Sequence, residues 1–356
     1  MNQPIDNLPS RWPHRLACLL AAVVFPLIWV GGLVTTTDAG MAVPDWPGTY
    51  GYNMFLYPIE TWLFGPFDLF IEHGHRLLGA LAGLIAIALV VATYMNEPRS
   101  WIKRLAVTLL ALVIFQGLLG GLRVELFARW IARIHGCVGP AFFAAVIAFC
   151  VATSRWWHRQ NETRQATRLR TGLIWLPIFM LTISYGQLVI GAFLRHIDEA
   201  APPGTYKWLI VAHISVAILI AFGTFMQWVI TRQSIFRGVG VRASANVLML
   251  LVLGQISLGV GTWIVKFGWP SWFRQFNFAA HFIVPEKSLL QMNLITAHVV
   301  VGSLILAFWT VHALRCNRRF AVANGSAAVN SDGSIEPPSA QPPSQPDLQA
   351  TAAGDA

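Results

Sequence analysis

Eight long apolar runs, each bounded by polar or charged residues, dominate this sequence and limit what it can fold into. They cover about 15–36, 73–94, 105–122, 131–153, 171–193, 208–230, 243–265 and 289–314. A helix needs about 20 residues to cross a bilayer, and each run is of that order. Lipid offers the backbone no hydrogen-bond partners, so a spanning segment is a helix or a strand of a closed barrel. The runs lack the period-2 alternation of barrel strands, so the expected fold is an all-α integral membrane protein with eight transmembrane helices. Composition agrees. Only 12% of the 356 residues are charged and 55% are hydrophobic, whereas a soluble domain carries about 25% charged residues. The net charge of +9 forms no basic stripe interleaved with aromatics, which argues against nucleic acid as a partner.

The basic residues sit at the ends of the runs. Sixteen of the 25 Lys and Arg residues lie at the N-terminus, in the even-numbered connections and after the last run; eight lie in the odd-numbered connections, and Arg76 falls inside a run. The positive-inside rule then puts both termini in the cytoplasm, with the chain in the inner (cytoplasmic) membrane. The first run is too long for a cleaved signal peptide. The first outer connection, 38–71, has no Lys or Arg but holds Asp38, Asp45, Glu60 and Asp68 with Trp46, Tyr50, Tyr52, Tyr57 and Trp62. Amphipathic aromatics favour the membrane interface, so this loop is expected to lie on the bundle as a lid. The Ser, Ala, Pro, Gly and Gln-rich tail from about Ala321 predicts disorder. Cys18, Cys137, Cys150 and Cys316 make no CxxC pair and none falls in an outer loop. They read as small buried hydrophobes, with neither a disulfide framework nor a zinc site.

A pattern recurs along the chain. Gln116–Gly120, Gln187–Gly191 and Gln255–Gly259 share Gln-x-x-x-Gly near the outer end of odd-numbered runs, and the first run has Gly31 and Gly32 at that depth without the Gln. Each is followed by an outer loop and an even-numbered run whose first turns carry a histidine: His75, His135, His213 and His298. Alone, the glycines read as helix packing and the glutamines as interhelical hydrogen bonding. Together they predict two similar four-helix bundles related as a parallel repeat about an axis along the membrane normal. The implied division is 1-14 as a cytoplasmic N-terminus, 15-154 as the first bundle, 155-170 as a cytoplasmic linker, 171-314 as the second bundle and 315-356 as the cytoplasmic tail.

A histidine within a span is expensive and marks function by default. Two facing imidazoles can ligate one haem iron from both sides, and helical bundles build cofactor sites from side chains on facing helices. The natural pairs are His75 with His135 and His213 with His298. His73 points about 200° around the helix from His75. His196 and His281 fall in outer loops, His158 in a cytoplasmic connection, and His14 and His312 near helix ends; all six read as structural, and His281 alone lies in a loop expected near a haem edge. Glu72 lies one turn before His75, where a carboxylate could move protons or stabilise developing positive charge; an i,i+4 pair with Arg76 is compatible with that. Arg76, Arg133 and Arg195 are candidates for haem propionate contacts, with snorkelling to the interface as the plainer account.

The stretch Glu72–Arg76 (EHGHR) resembles the Glu-x-x-His-Arg motif of the haem A synthase family, and Gly31–Pro47 (GGLVTTTDAGMAVPDWP) resembles that family's first-span and first-loop signature. The Gln-x-x-x-Gly elements and the four helix-borne histidines match as well, so the resemblance covers about residues 15–315. It implies an oxidoreductase acting on a CH group, which converts the methyl at pyrrole position eight of haem O to a formyl group and so gives haem A for cytochrome c oxidase. It implies a haem b on His213 and His298, the substrate haem on His75 and His135, and a catalytic role for Glu72. The implied partners are haem O, the haem O synthase (protohaem farnesyltransferase) that supplies it, and membrane lipid, with self-association left open. The paired outer-loop cysteines of some bacterial members are missing here. Two rivals share part of the pattern. A bis-His di-haem electron carrier needs the same histidines, but neither a carboxylate beside one pair nor a large lid over only one half. A multi-span transporter would favour ionisable residues near the midplane, whereas here they cluster at the outer edge.

Overall fold

The computed structural model describes residues 10–159, 174–197, 201–233 and 240–319. Its long elements are α1 (Trp12–Thr36), α2 (Phe67–Asn96), α3 (Ser100–Leu126), α4 (Arg129–Thr153), α5 (Leu176–Arg195), α6 (Pro203–Ile230), α7 (Val241–Phe267) and α8 (Leu289–Arg319). All eight are long and apolar enough to cross a membrane, and this is a multi-pass membrane protein. Extended structure among the described residues is limited to an isolated bridge between Thr49 and Tyr52. The linker expected at 155-170 is described as far as residue 159, and the tail only to 319, so the disorder expected there lies outside the described residues.

Several helices run past the apolar segments that announce them: α2 starts at Phe67 rather than His73, and α3 at Ser100 rather than Leu105. Proline sets these ends, because its fixed φ and missing donor suit a helix start. Pro66 precedes α2, Pro98 separates α2 from α3, and Pro202 precedes α6. Helix α7 is bounded by Gly240 and Gly268 at φ of 73° and 79°, a region that side chains disfavour.

Each half closes on itself. In the first, α1 packs on α2, α2 on α3, α3 on α4 and α4 on α1; in the second, α5, α6, α7 and α8 make the corresponding ring. The halves meet where α8 touches α4 and α1, and α5 touches α4. Leu20, Leu89, Leu109, Val146 and Phe149 lie in one buried cluster, and Met180, Ile220, Leu248, Val252 and Trp309 in another. Large apolar side chains such as Leu84, Ile218, Phe222 and Leu250 face outward, as a lipid-facing surface requires. At the face away from the lid, buried His312 is held between Gln227 (2.9 Å) and the Ser244 hydroxyl (2.8 Å), and His14 meets the Thr153 hydroxyl (3.2 Å). Both are satisfied structural histidines.

The connection from α1 to α2 does lie on the bundle. Ala39 packs with Val34 of α1 and Ile71 of α2. Arg76 Nη1 donates to the carbonyls of Asp45 (2.6 Å) and Gly48 (2.9 Å), and Nη2 to that of Val43 (2.9 Å) and to Glu72 Oε1 (2.8 Å). Glu72 Oε2 accepts the Val43 N–H at 2.9 Å, and Glu125 of α3 accepts that of Trp46 at 3.0 Å. His73 meets the Thr49 hydroxyl at 3.0 Å and lies among Tyr57 and Trp62. The Trp46 indole covers Gly121 so closely that a Cβ there would stand 2.3 Å from the ring. The second half also carries a long connection, 268–288, with Trp269, Trp272, Phe273, Phe276 and Phe278 gathered on it. Large outer loops are therefore not confined to one half.

Asp45 caps the lid's turn by accepting from Tyr50 N–H (2.7 Å) and Gly51 N–H (2.9 Å). Burial opposes its charge, but these N–H groups and Arg76 hold its carboxyl below the usual carboxylate range. With the folded value below the unfolded one, the contribution is full above the unfolded value and disappears as pH falls through the folded one. Protection of the Tyr50 and Gly51 amides should therefore persist from neutral pH down to about 4, and Asp45→Asn should lower it throughout. Gly121→Leu should lift Trp46 and raise amide exchange at Val43 and Trp46 about tenfold or more; unchanged exchange there would mean the lid is held elsewhere.

Candidate functional site: two facing histidine pairs

Each of the four repeat histidines stands against a glycine of the preceding helix. A Cβ on Gly31 would lie 2.7 Å from His75 Cε1; on Gly120, 3.5 Å from His135 Cε1; on Gly191, 3.5 Å from His213 Cε1; on Gly259, 3.2 Å from His298 Cε1. The Cε1–Nδ1 edge of each ring thus rests on a bare stretch of main chain. The rings of His75, His135 and His298 face the main-chain carbonyls of Leu27, Gln116 and Gln255, each one turn before the glycine. None of the four buried Nδ1 atoms closes a hydrogen bond of normal geometry.

The glutamines hold the histidine-bearing helices. Gln116 Nε2 donates to the His135 carbonyl at 3.2 Å and Gln187 Nε2 to that of His213 at 2.9 Å. Gln255 Nε2 instead makes a long 3.4 Å contact with His298 Nε2. Leu27 stands where the first helix would carry this residue, and no equivalent clamp reaches His75 among the described residues.

With one edge against the glycines, the imidazoles face each other in pairs. The ring centroids of His75 and His135 lie 6.3 Å apart, and those of His213 and His298 6.2 Å. Two metal–nitrogen bonds of roughly 2 Å, plus roughly 1 Å from each centroid to its ligating nitrogen, require a separation of roughly 6 Å. Both pairs meet that requirement. Among the described residues, no cluster of three or more His, Cys, Asp or Glu could hold a bare ion. A group that brings its own equatorial ligands and needs only two axial nitrogens fits; a porphyrin iron is such a group.

Charge distinguishes the first pair. Glu72 is buried one turn before His75, with both carboxylate oxygens occupied by Arg76 and the Val43 N–H. The arginines expected as propionate contacts are committed to main chain instead. Arg76 holds the lid, and Arg133 Nε and Nη2 both donate to the His196 carbonyl, at 2.9 and 2.6 Å. Arg195 of α5 crosses to α1, donating to the Gly32 carbonyl (2.5 Å) and the Thr36 hydroxyl. Carbonyls at helix ends and in a pinned loop are the nearest acceptors, and charge-assisted bonds to them satisfy the guanidinium. Among the described residues, His281 bonds only to the Asn277 carbonyl of its own loop, at 3.0 Å. The region between the halves on the lid face is strongly cationic. Burial, then Arg195, Arg123 and Arg133, push His196 down to about 4, so it is neutral at physiological pH.

The cation missed by the sequence reading is Arg123, which acts through space on Glu72, Asp38 and both imidazoles of the first pair. Its position three residues after Gly120 was the available signal.

The chain is 26% identical over 255 residues to the Heme A synthase of Alkalihalophilus pseudofirmus, covering 65% of this chain and 80% of that relative. It is 26% identical over 272 residues to the Heme A synthase of Shouchella clausii, covering 69% and 85%. It is 25% identical over 321 residues to that of an Exiguobacterium species, covering 85% and 93%. The family model described as cytochrome oxidase assembly protein (COX15-CtaA) matches residues 14–273, well over half of the 356. By that match the chain belongs to the cytochrome oxidase assembly protein family.

Proposed function

We propose that this chain is a haem A synthase, a membrane oxidoreductase that converts the position-eight methyl of haem O to a formyl group. The observation that carries the reading is the matched spacing of the two imidazole pairs, 6.3 and 6.2 Å. The buried carboxylate beside the first pair, and relatives that bear the name Heme A synthase, favour chemistry on one haem over simple electron carriage. A di-haem carrier would use the two pairs equally well but would ask of Glu72 only that it hold the lid.

In this reading His75 and His135 hold the substrate haem in the half spanning 15-154, and His213 and His298 hold haem b in the half spanning 171-314. The similar ring of helix contacts in the two halves supports their origin as a parallel repeat. The haem supplies the redox chemistry, and the protein orients it and tunes charge. Each of two steps takes an oxygen atom from water and passes two electrons to an external electron acceptor with release of two protons, giving first the alcohol and then the hydrated aldehyde, which loses water to leave the formyl group. In this reading Glu72 takes a proton, and the hold of Arg76 and the Val43 N–H on its carboxylate supports that role. The lid over it limits access of bulk water. The Lys and Arg bias of sixteen to eight supports an inner-membrane location with both termini cytoplasmic. The product haem A goes to cytochrome c oxidase, and the haem O synthase is the upstream partner.

Expression with a haem O synthase, followed by pigment extraction, should yield haem A. Glu72→Gln should cut haem A formation about a hundredfold or more while leaving haem binding in place; an unchanged haem O pool in membranes holding the intact chain counts against the enzyme. His213→Ala or His298→Ala should each remove one bis-imidazole signal from the optical spectrum without unfolding the helices. Retention of both signals in both variants would falsify the pairing.

A further inference from the structure

Arg123 differs from Arg76, Arg133 and Arg195 in what its guanidinium meets. Arg76, Arg133 and Arg195 donate to main-chain carbonyls, and Lys287 pairs with Asp38 at 3.0 Å. Arg123 is half-buried near the end of α3, one turn beyond the Gly120 that supports His135. No acceptor among the described residues takes a hydrogen bond from it; Glu72 and Asp38 act on it only through space. Its guanidinium lies flat under the lid at Gly40, where a Cβ would stand 2.2, 2.3 and 2.5 Å from Nη1, Nη2 and Cζ. The lid thus has a bare glycine where this head group sits, and its forked donors meet no acceptor among the described residues. A half-buried guanidinium with no acceptor among the described residues can give its donors to a ligand, and a carboxylate is the group whose geometry matches that fork.

We infer that Arg123 anchors a carboxylate of the porphyrin held between His75 and His135, and so sets which edge of the ring faces Glu72. This rests on the reading of that pair as a haem site. Porphyrin chemistry adds a reason for the placement. In haem O the position-eight methyl shares its pyrrole ring with a propionate, so fixing that propionate also fixes the methyl. Arg123 and Glu72 lie close enough for their charges to interact. A propionate at Arg123 therefore brings its neighbouring methyl to the side of the pocket where Glu72 stands. Arg123 is a positioning residue in this scheme, and Gly40 preserves the room it needs.

The test separates carboxylate recognition from iron ligation. The full chain carrying His298→Ala, with His213→Ala as a second background, leaves only the first pair able to give bis-imidazole bands. It is titrated with ferric protohaem and with its dimethyl ester, which keeps the iron and ring but lacks the carboxylates. The chain with Arg123 should prefer the free acid by about tenfold or more over the ester. Arg123→Gln should bring the two affinities together while leaving ester binding unchanged, and Arg123→Lys should keep part of the preference. Gly40→Ala, which displaces the guanidinium without removing its charge, should also reduce the preference. A preference unchanged in Arg123→Gln overturns the anchor and leaves the haem site standing. Absence of bis-imidazole bands with either porphyrin in both backgrounds overturns the haem site and the anchor together.

Discussion

The contact between an imidazole edge and a glycine main chain, made four times, is the interaction on which the rest of this structure depends. Lipid gives helices no hydrophobic reason to associate, so association relies on close packing and on polar groups that find partners within the bundle. A histidine within a span is tolerated only where such a partner exists. Gly31, Gly120, Gly191 and Gly259 let each ring lie on the neighbouring helix, edge against the backbone. The rings of each half then stand across from one another, with centroids 6.3 and 6.2 Å apart. Gln116 and Gln187 then hold the main chain of the histidine helices in register.

On this frame the charged groups are unevenly distributed. Glu72, Arg76 and Arg123 gather around the first pair, under a loop tied down by Glu72, Arg76, Glu125 and His73. Arg76 does not face the pocket, because Val43, Asp45 and Gly48 present three carbonyls to it. The same side chain therefore orders the loop and holds the Glu72 carboxylate. Between the halves, Arg133 and Arg195 each cross to the other bundle and end on a carbonyl. These bonds join the bundles on the face that carries both histidine pairs. They explain why guanidinium groups that look like ligand contacts in the sequence serve as structural ties.

The sequence by itself determined the number and type of the spans, because lipid forces backbone groups to pair within helices and eight apolar runs leave little freedom. It determined the partnering of the histidines too, since the recurrence of glycine, outer loop and histidine puts His75 beside His135 and His213 beside His298 in any closed four-helix ring. Tertiary structure alone decided the helix ends, where prolines carry α2 and α3 beyond their apolar runs, and the fate of each arginine. A guanidinium on a flexible stem reaches whatever acceptor the fold brings near, and acceptors on loops and helix ends have no sequence signature. The place of Arg123 one turn after Gly120 marked it as near the first pair, but nothing in the sequence told which of Arg123, Arg133 and Arg195 would find a carbonyl. Only the packed lid shows that two of them have carbonyls within reach and one has none.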